Sequence, residues 1–308
     1  MNIALPSTIP AYLAQLRRSL EGADPAMIQD ALYDAEEYLR AELAANPGKS
    51  EAEVIADVAG SYGAPDEVAD IYRDTEAKVE TALRTPRIAS PLRNTGAPSV
   101  WQRVFGVFGD PRTYGALFYM LLALATGIFY FTWVVTGLSL SLGLSILIIG
   151  LPFVILFFGA TGVLSLVEGR LVEVMLGERM PRRPLYVDRE LPLLKRIGAM
   201  FTDPRSWSTF IYFILMLPLG IVYFTIAITG LAVSMALISA PFVEMLGGGW
   251  IVHINGISTF VSGTGISEPL AWPFVILAGT ALLLLTLHVA RWVGRLHAAI
   301  AKRLLVAA

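Results

Sequence analysis

Apolar positions follow two regimes along this chain. Between residues 7 and 85 they recur at helical spacing among polar ones, and beyond residue 112 they run together in long stretches. The first regime predicts four amphipathic helices. Helix one opens at Ser7 or Thr8 and puts Tyr12, Leu13, Leu16 and Leu20 on one face. Helix two takes Asp24 as N-cap and Pro25 at its first position. Its apolar face is Ile28, Ala31, Leu32, Ala35, Leu39 and Leu43, and Asn46-Pro47-Gly48 ends it. Ser50 and Glu53 form a capping box for helix three, whose face is Val54, Ile55, Val58 and Tyr62. Gly63-Ala64-Pro65-Asp66 restarts the chain as helix four, with Val68, Ala69, Ile71 and Tyr72 inward. A Pro/Ser/Gly/Asn linker is expected over residues 86–100.

The second regime holds four apolar stretches, at about 114–136, 143–167, 207–229 and 270–290. Each is near or above the roughly 20 residues that cross a bilayer as helix. Residues 138–167 exceed one crossing, so an interfacial start from Leu138 with a kink at Gly150-Leu151-Pro152 is expected. The fold class is therefore all-α: a cytoplasmic four-helix domain plus a four-span membrane bundle. Composition agrees, since 55% of the 308 residues are hydrophobic and 16% charged, against roughly 25% charged in soluble domains. The absence of cysteine excludes disulfides, thiolate metal sites and a cysteine nucleophile. The N-terminal stretch lacks the pattern of a signal peptide.

Charge sets the expected topology. Beyond residue 112 every Lys and Arg falls either between the second and third stretches or after the fourth, and the stretch from Leu231 to Leu270 has none. All basic residues then lie on one side, which places both termini in the cytoplasm of a bacterial inner-membrane protein. Residues 1–85 carry about sixteen acidic and seven basic side chains. That balance opposes direct nucleic-acid binding and favours docking of a protein partner.

The membrane part reads as a tandem duplication. Asp110-Pro111-Arg112 recurs as Asp203-Pro204-Arg205, Gly127-Ile128-Phe129-Tyr130-Phe131-Thr132 as Gly220-Ile221-Val222-Tyr223-Phe224-Thr225, and Thr136-Gly137-Leu138 as Thr229-Gly230-Leu231. About half the positions from 110 to 138 match their mates without a gap. Pro152-Phe153-Val154-Ile155-Leu156 recurs as Pro273-Phe274-Val275-Ile276-Leu277 after an insertion at about 239–269, expected to be extracytoplasmic. The domains are then residues 1–85, a linker at 86–100, a first hairpin with its connector at 101–202, and a second hairpin at 203–308.

Two resemblances follow from these residues. Tyr12-Leu13-Ala14-Gln15-Leu16, Asp34-Ala35-Glu36-Glu37-Tyr38 and Gly63-Ala64-Pro65-Asp66-Glu67-Val68-Ala69 resemble the HAAS-type helical signalling domain, over about residues 8–80. The repeated Gly-Ile-x-Tyr-Phe-Thr and Thr-Gly-Leu elements, Gly150-Leu151-Pro152 and the Glu168-Gly169-Arg170 exit are similar to the bacterial "putative sensor" membrane domain. That domain often precedes a histidine kinase, but these residues hold no phosphoacceptor helix and no ATP-binding glycine motif. The resemblance implies a signalling protein whose cytoplasmic bundle talks to a regulator, such as one of PadR type.

Candidate site residues are few. Tyr130, Thr132 and Thr136 with Tyr223, Thr225 and Thr229 lie toward the outer ends of spans one and three. Thr132 and Thr136 share a helix face, and facing Thr225 and Thr229 they would line a small-molecule or lipid pocket. Arg112 and Arg205, after helix-starting Asp-Pro pairs, would meet lipid headgroups. Trp250, His253 and Asn255 would form an extracytoplasmic surface. Glu168 and Arg170 read as a span boundary, His288 as interfacial, and Gly159, Gly162 and Gly169 as points of close helix approach. No catalytic motif, cofactor, metal set or buried charge is expected. The reading is a non-enzymatic membrane sensor relaying an envelope or lipid-phase cue to a cytoplasmic partner. A scaffold subunit of a transport complex or homo-oligomer, and a lipid- or small-molecule-handling protein, stay open beside it.

Overall fold

A computed structural model of the chain describes residues 6–83, 100–144, 150–183, 198, 201–245 and 268–306, and the regular structure among them is helical throughout. The N-terminal helices are α1 (Ile9–Ser19), α2 (Pro25–Ala45), α3 (Glu51–Ser61) and α4 (Pro65–Leu83). Their starts follow from local chemistry. The Thr8 hydroxyl accepts from the Ala11 N–H, Asp24 from the Ala26 N–H, and Ser50 and Glu53 close a reciprocal capping box. Gly63, at φ +114°, makes the turn into α4, and the Tyr12 hydroxyl donates to its carbonyl at 2.8 Å. The core is Tyr12, Leu16, Leu20, Met27, Ala31, Ala35, Leu39, Val54, Ile55, Val58, Val68 and Ala69. Ile71 departs from expectation and is exposed, because the buried arc of α4 runs through Val68, Ala69 and Tyr72 instead.

The expected linker lies almost wholly outside the described residues, but its last position already belongs to a helix. Helix α5 (Val100–Phe105) stacks Trp101 on Phe105. Then come α6 (Pro111–Leu144), α7 (Gly150–Leu176), α8 (Pro204–Met245) and α9 (Glu268–Leu305). All four are long and apolar enough to cross a membrane. Only 22–33% of their most apolar windows is buried within the chain, which leaves most of that surface for lipid. The helices outrun the apolar stretches that announce them. At 42 residues, α8 is about 63 Å long, roughly twice the hydrocarbon core. It takes in Pro218 and Pro241 and the first residues of the expected insertion. Pro152 sits in the first turn of α7, where its missing N–H costs nothing, so it starts that helix rather than kinking it.

Backbone contacts divide the chain into two units. One comprises Met1–Pro91, Thr132–Ile214 and His297–Ala308, the other Leu92–Phe131 and Leu215–Leu296. In the second unit, α6 and α8 meet where two glycines face backbone. A Cβ on Gly127 would lie 2.4 Å from the Met216 carbonyl oxygen, and one on Gly220 would lie 2.2 Å from that of Ala123. The contact is reciprocal in the matched register of the two segments. In the first unit, Gly137 admits the Phe157 ring, which stacks on Phe210 at 5.6 Å, and the Trp133 indole N–H donates to the Thr161 hydroxyl at 3.1 Å. Gly159 and Gly162, expected at close approaches, have no atom within 4 Å of a built Cβ, and at Gly169 a Cβ would meet only ordinary contact with Met180. Spacing marks a glycine's face but not what lies opposite it. Gly220→Leu therefore forces the α6–α8 crossing apart and lowers the thermal unfolding midpoint of the detergent-solubilised chain, with a cost of about 1–3 kcal/mol. Gly162→Leu leaves the midpoint unchanged.

Candidate functional site

The segment after α7 carries the densest charge chemistry in the described structure. Helix α7 ends at Leu176 because Gly177 adopts φ +73°, a glycine C′ that turns the chain while its N–H caps the Glu173 carbonyl at 3.1 Å. Residues 178–183 then run irregularly, with Met180 fully buried. This segment and the acidic side of α2 and α4 meet in an ion network. The Arg179 guanidinium, only 10% exposed, reaches Asp30 Oδ2 at 3.0 Å, Glu76 Oε2 at 3.3 Å and Glu173 Oε1 at 3.9 Å. The other oxygen of Asp30 accepts two successive backbone N–H groups, from Arg182 at 2.7 Å and Arg183 at 2.8 Å. Gln29 donates to the Arg183 carbonyl at 2.7 Å. Arg183 pairs with Asp34 at 3.1 Å and covers the Tyr33 ring. Lys302, near the end of α9, holds both Asp24 at 2.6 Å and Glu178 at 2.5 Å.

Burial and pairing compete here. Burial pushes the Asp30 carboxyl above the usual carboxylate range, and the Arg182 and Arg183 N–H groups and the Arg179 charge only partly pull it back. Arg179 goes the other way on balance: burial opposes its charge, but Glu76, Asp30 and Glu173 together favour it. One carboxyl thus carries a desolvation cost that its partners do not fully offset.

A second polar cluster joins α7, α8 and α9. Glu168, Tyr212 and His297 are each 0% exposed. The Tyr212 hydroxyl donates to Glu168 Oε1 at 2.9 Å and lies 2.8 Å from His297 Nε2. Glu168 is therefore a buried hydrogen-bond partner, an ionisable side chain inside the protein where none was expected. Apolar spacing gives no sign of it, because one carboxyl barely alters a long apolar helix.

Tyr130 and Tyr223 are buried, but Thr132, Thr136, Thr225 and Thr229 are all exposed on their helices, and Thr225 bonds back to the Ile221 carbonyl. A helix places residues two apart on nearly opposite faces, so Thr132 and Thr225 are exposed where Tyr130 and Tyr223 are buried. Asp110 and Asp203 cap α6 and α8 as expected, each accepting from the N–H two residues on at 3.1 Å. Arg112 is exposed, and the half-buried Arg205 donates to the Leu305 carbonyl at 2.8 Å. His288 is exposed, with its ring against the Leu284 carbonyl. Trp250, His253 and Asn255 lie outside the described residues. Among those described, no group of His, Asp and Glu is arranged to hold a metal ion.

These features define a multi-pass, all-helical membrane protein with a helical bundle at its N-terminal end. Residues 119–305 match the family described as "Putative sensor", and the chain belongs to that family. No curated protein and no solved structure matches the chain.

Two outcomes test this geometry. Arg179→Ala strands Asp30 in a buried place and weakens docking of α2 by about 3–5 kcal/mol. Arg183→Ala, at a half-exposed pair, costs no more than about 1 kcal/mol. Hydrogen exchange of α2 and residues 177–183 in the membrane-embedded chain reads both, and Asp30→Asn, which keeps the acceptor oxygen, is milder than Asp30→Ala. Tyr212→Phe removes the hydroxyl shared by Glu168 and His297 and lowers the unfolding midpoint, for a loss of about 1–3 kcal/mol. A midpoint equal to wild type would show that the hydroxyl bridges nothing of weight.

Proposed function

We propose that this protein is a bacterial inner-membrane sensor that passes a cue received by its spans to a cytoplasmic regulator through the N-terminal bundle. One observation carries the reading. Helices α7 and α9 each bear a member of the buried cluster, Glu168 and His297, and five residues further on a member of the ion network, Glu173 and Lys302. Five residues of helix are about 7.5 Å. A shift of either helix that disturbs the buried cluster therefore also moves the groups that hold the bundle. A cue acts only by favouring one of two such arrangements. The bundle's acidic surface, its likeness to HAAS-type domains and the basic residues gathered on one side of the spans support a cytoplasmic partner, with a PadR-type regulator as the class the likeness suggests. Nothing in this reading requires catalysis.

The test is cross-linking in native membranes, with the full chain and with a chain lacking residues 1–85. A soluble regulator joined to the full chain and lost on deletion, while the shortened chain still inserts, is the expected result. Neighbours that are all integral membrane proteins and persist without the bundle would replace this reading with a scaffold role seated in the spans.

A further inference from the structure

The connector does more than touch the bundle; it occupies it as a peptide occupies a receptor. From the geometry we infer that the acidic face of α2 and α4 is a recognition site for an extended, arginine-bearing segment of a protein partner, and that residues 177–183 fill this site in cis. The inference rests on the reading of the bundle as a docking module.

The contacts are those of sequence-selective peptide binding. Asp30 and Glu76 take one arginine, Arg179. Asp34 and the Tyr33 ring take a second, Arg183, four positions on. Between them the bundle reads main chain: two successive N–H groups on Asp30 Oδ1, and the carbonyl of the second on Gln29. Successive N–H groups turned on one anion form a nest, which any residue but proline can supply. Gln29 and Asp30 are both buried within this contact, at 4% and 5% exposure, so the site is built and closed over its occupant. The chemistry recognised is Arg-x-x-z-Arg, with z any residue but proline. The connector fits as Arg179-Met180-Pro181-Arg182-Arg183. Nothing in the fit requires the segment to belong to the same chain. A tethered occupant has an effective concentration of the order of millimolar, so a partner segment enters only when the connector withdraws. The acidic balance of residues 1–85 favours an arginine-rich entrant over an acidic one.

The probe is a fluorescent peptide with the sequence of residues 176–183, titrated against the full chain in nanodiscs of neutral lipid. Wild type should bind it at least tenfold more weakly than Arg179→Ala/Arg183→Ala, in which the cis segment has lost its two anchors. Adding Asp30→Ala to that variant should abolish binding, and a scrambled peptide of equal charge should not bind. No binding to the vacated variant, survival of binding after Asp30→Ala, or equal binding of the scrambled peptide would each overturn the inference. Should the double variant fail to fold, the absence of native cysteine allows Asp34→Cys/Arg183→Cys to be joined by a short thiol cross-linker in an otherwise intact chain. Saturating peptide should then cut the cross-linked yield several-fold, and an unchanged yield overturns the site. A failure here, with a regulator still lost on deletion of residues 1–85, would move the partner to another face of the bundle and leave the sensor reading standing.

Discussion

A guanidinium and a carboxyl removed from water each cost several kcal/mol, and only a complete set of partners offsets that cost. The Arg179–Asp30 pair meets this condition through groups from four stretches of chain: α2 and α4 of the bundle, the end of α7, and the backbone of residues 182 and 183. Remove one and the remainder is a buried, uncompensated charge. Breaking such a network by removing one partner costs far more than the intact network adds to stability.

The α6–α8 crossing is organised on the opposite principle. Close approach, not charge, brings α6 and α8 together, with Gly127 against Met216 and Gly220 against Ala123. In lipid there is little hydrophobic drive between helices, so backbone contact made possible by absent side chains carries the association. The glycines that serve this purpose are the ones with a carbonyl opposite. Gly159 and Gly162 are equally small and meet nothing.

Much of the fold is legible in the sequence because it depends on local chemistry. Thr8, Asp24 and the Ser50–Glu53 pair announce helix starts, and the apolar faces of α1 to α3 are the buried ones. The existence of four spans follows from composition alone, but their ends do not. Hydropathy falls off near Arg170, while α7 continues to the glycine that stops it at residue 177. The site is far less legible. Arg179, Arg182 and Arg183 read in sequence as markers of membrane sidedness, and no local signal pairs them with Asp30 or Asp34 some 150 positions away. The opposite charge balance of the bundle and the connector was the available clue. Tyr212 and His297 carry no such clue, since only packing brings them to Glu168.

The α6–α8 crossing also sets how little room its sequence has to vary. At Gly127 and Gly220 the atoms opposite are main chain, so even the single methyl of alanine would lie 2.4 Å and 2.2 Å from a carbonyl oxygen. A flexible neighbour could swing aside from such a methyl, but a peptide group moves only with its helix. Change at these two positions is therefore all or none: glycine keeps the crossing, and the smallest alternative displaces a whole helix.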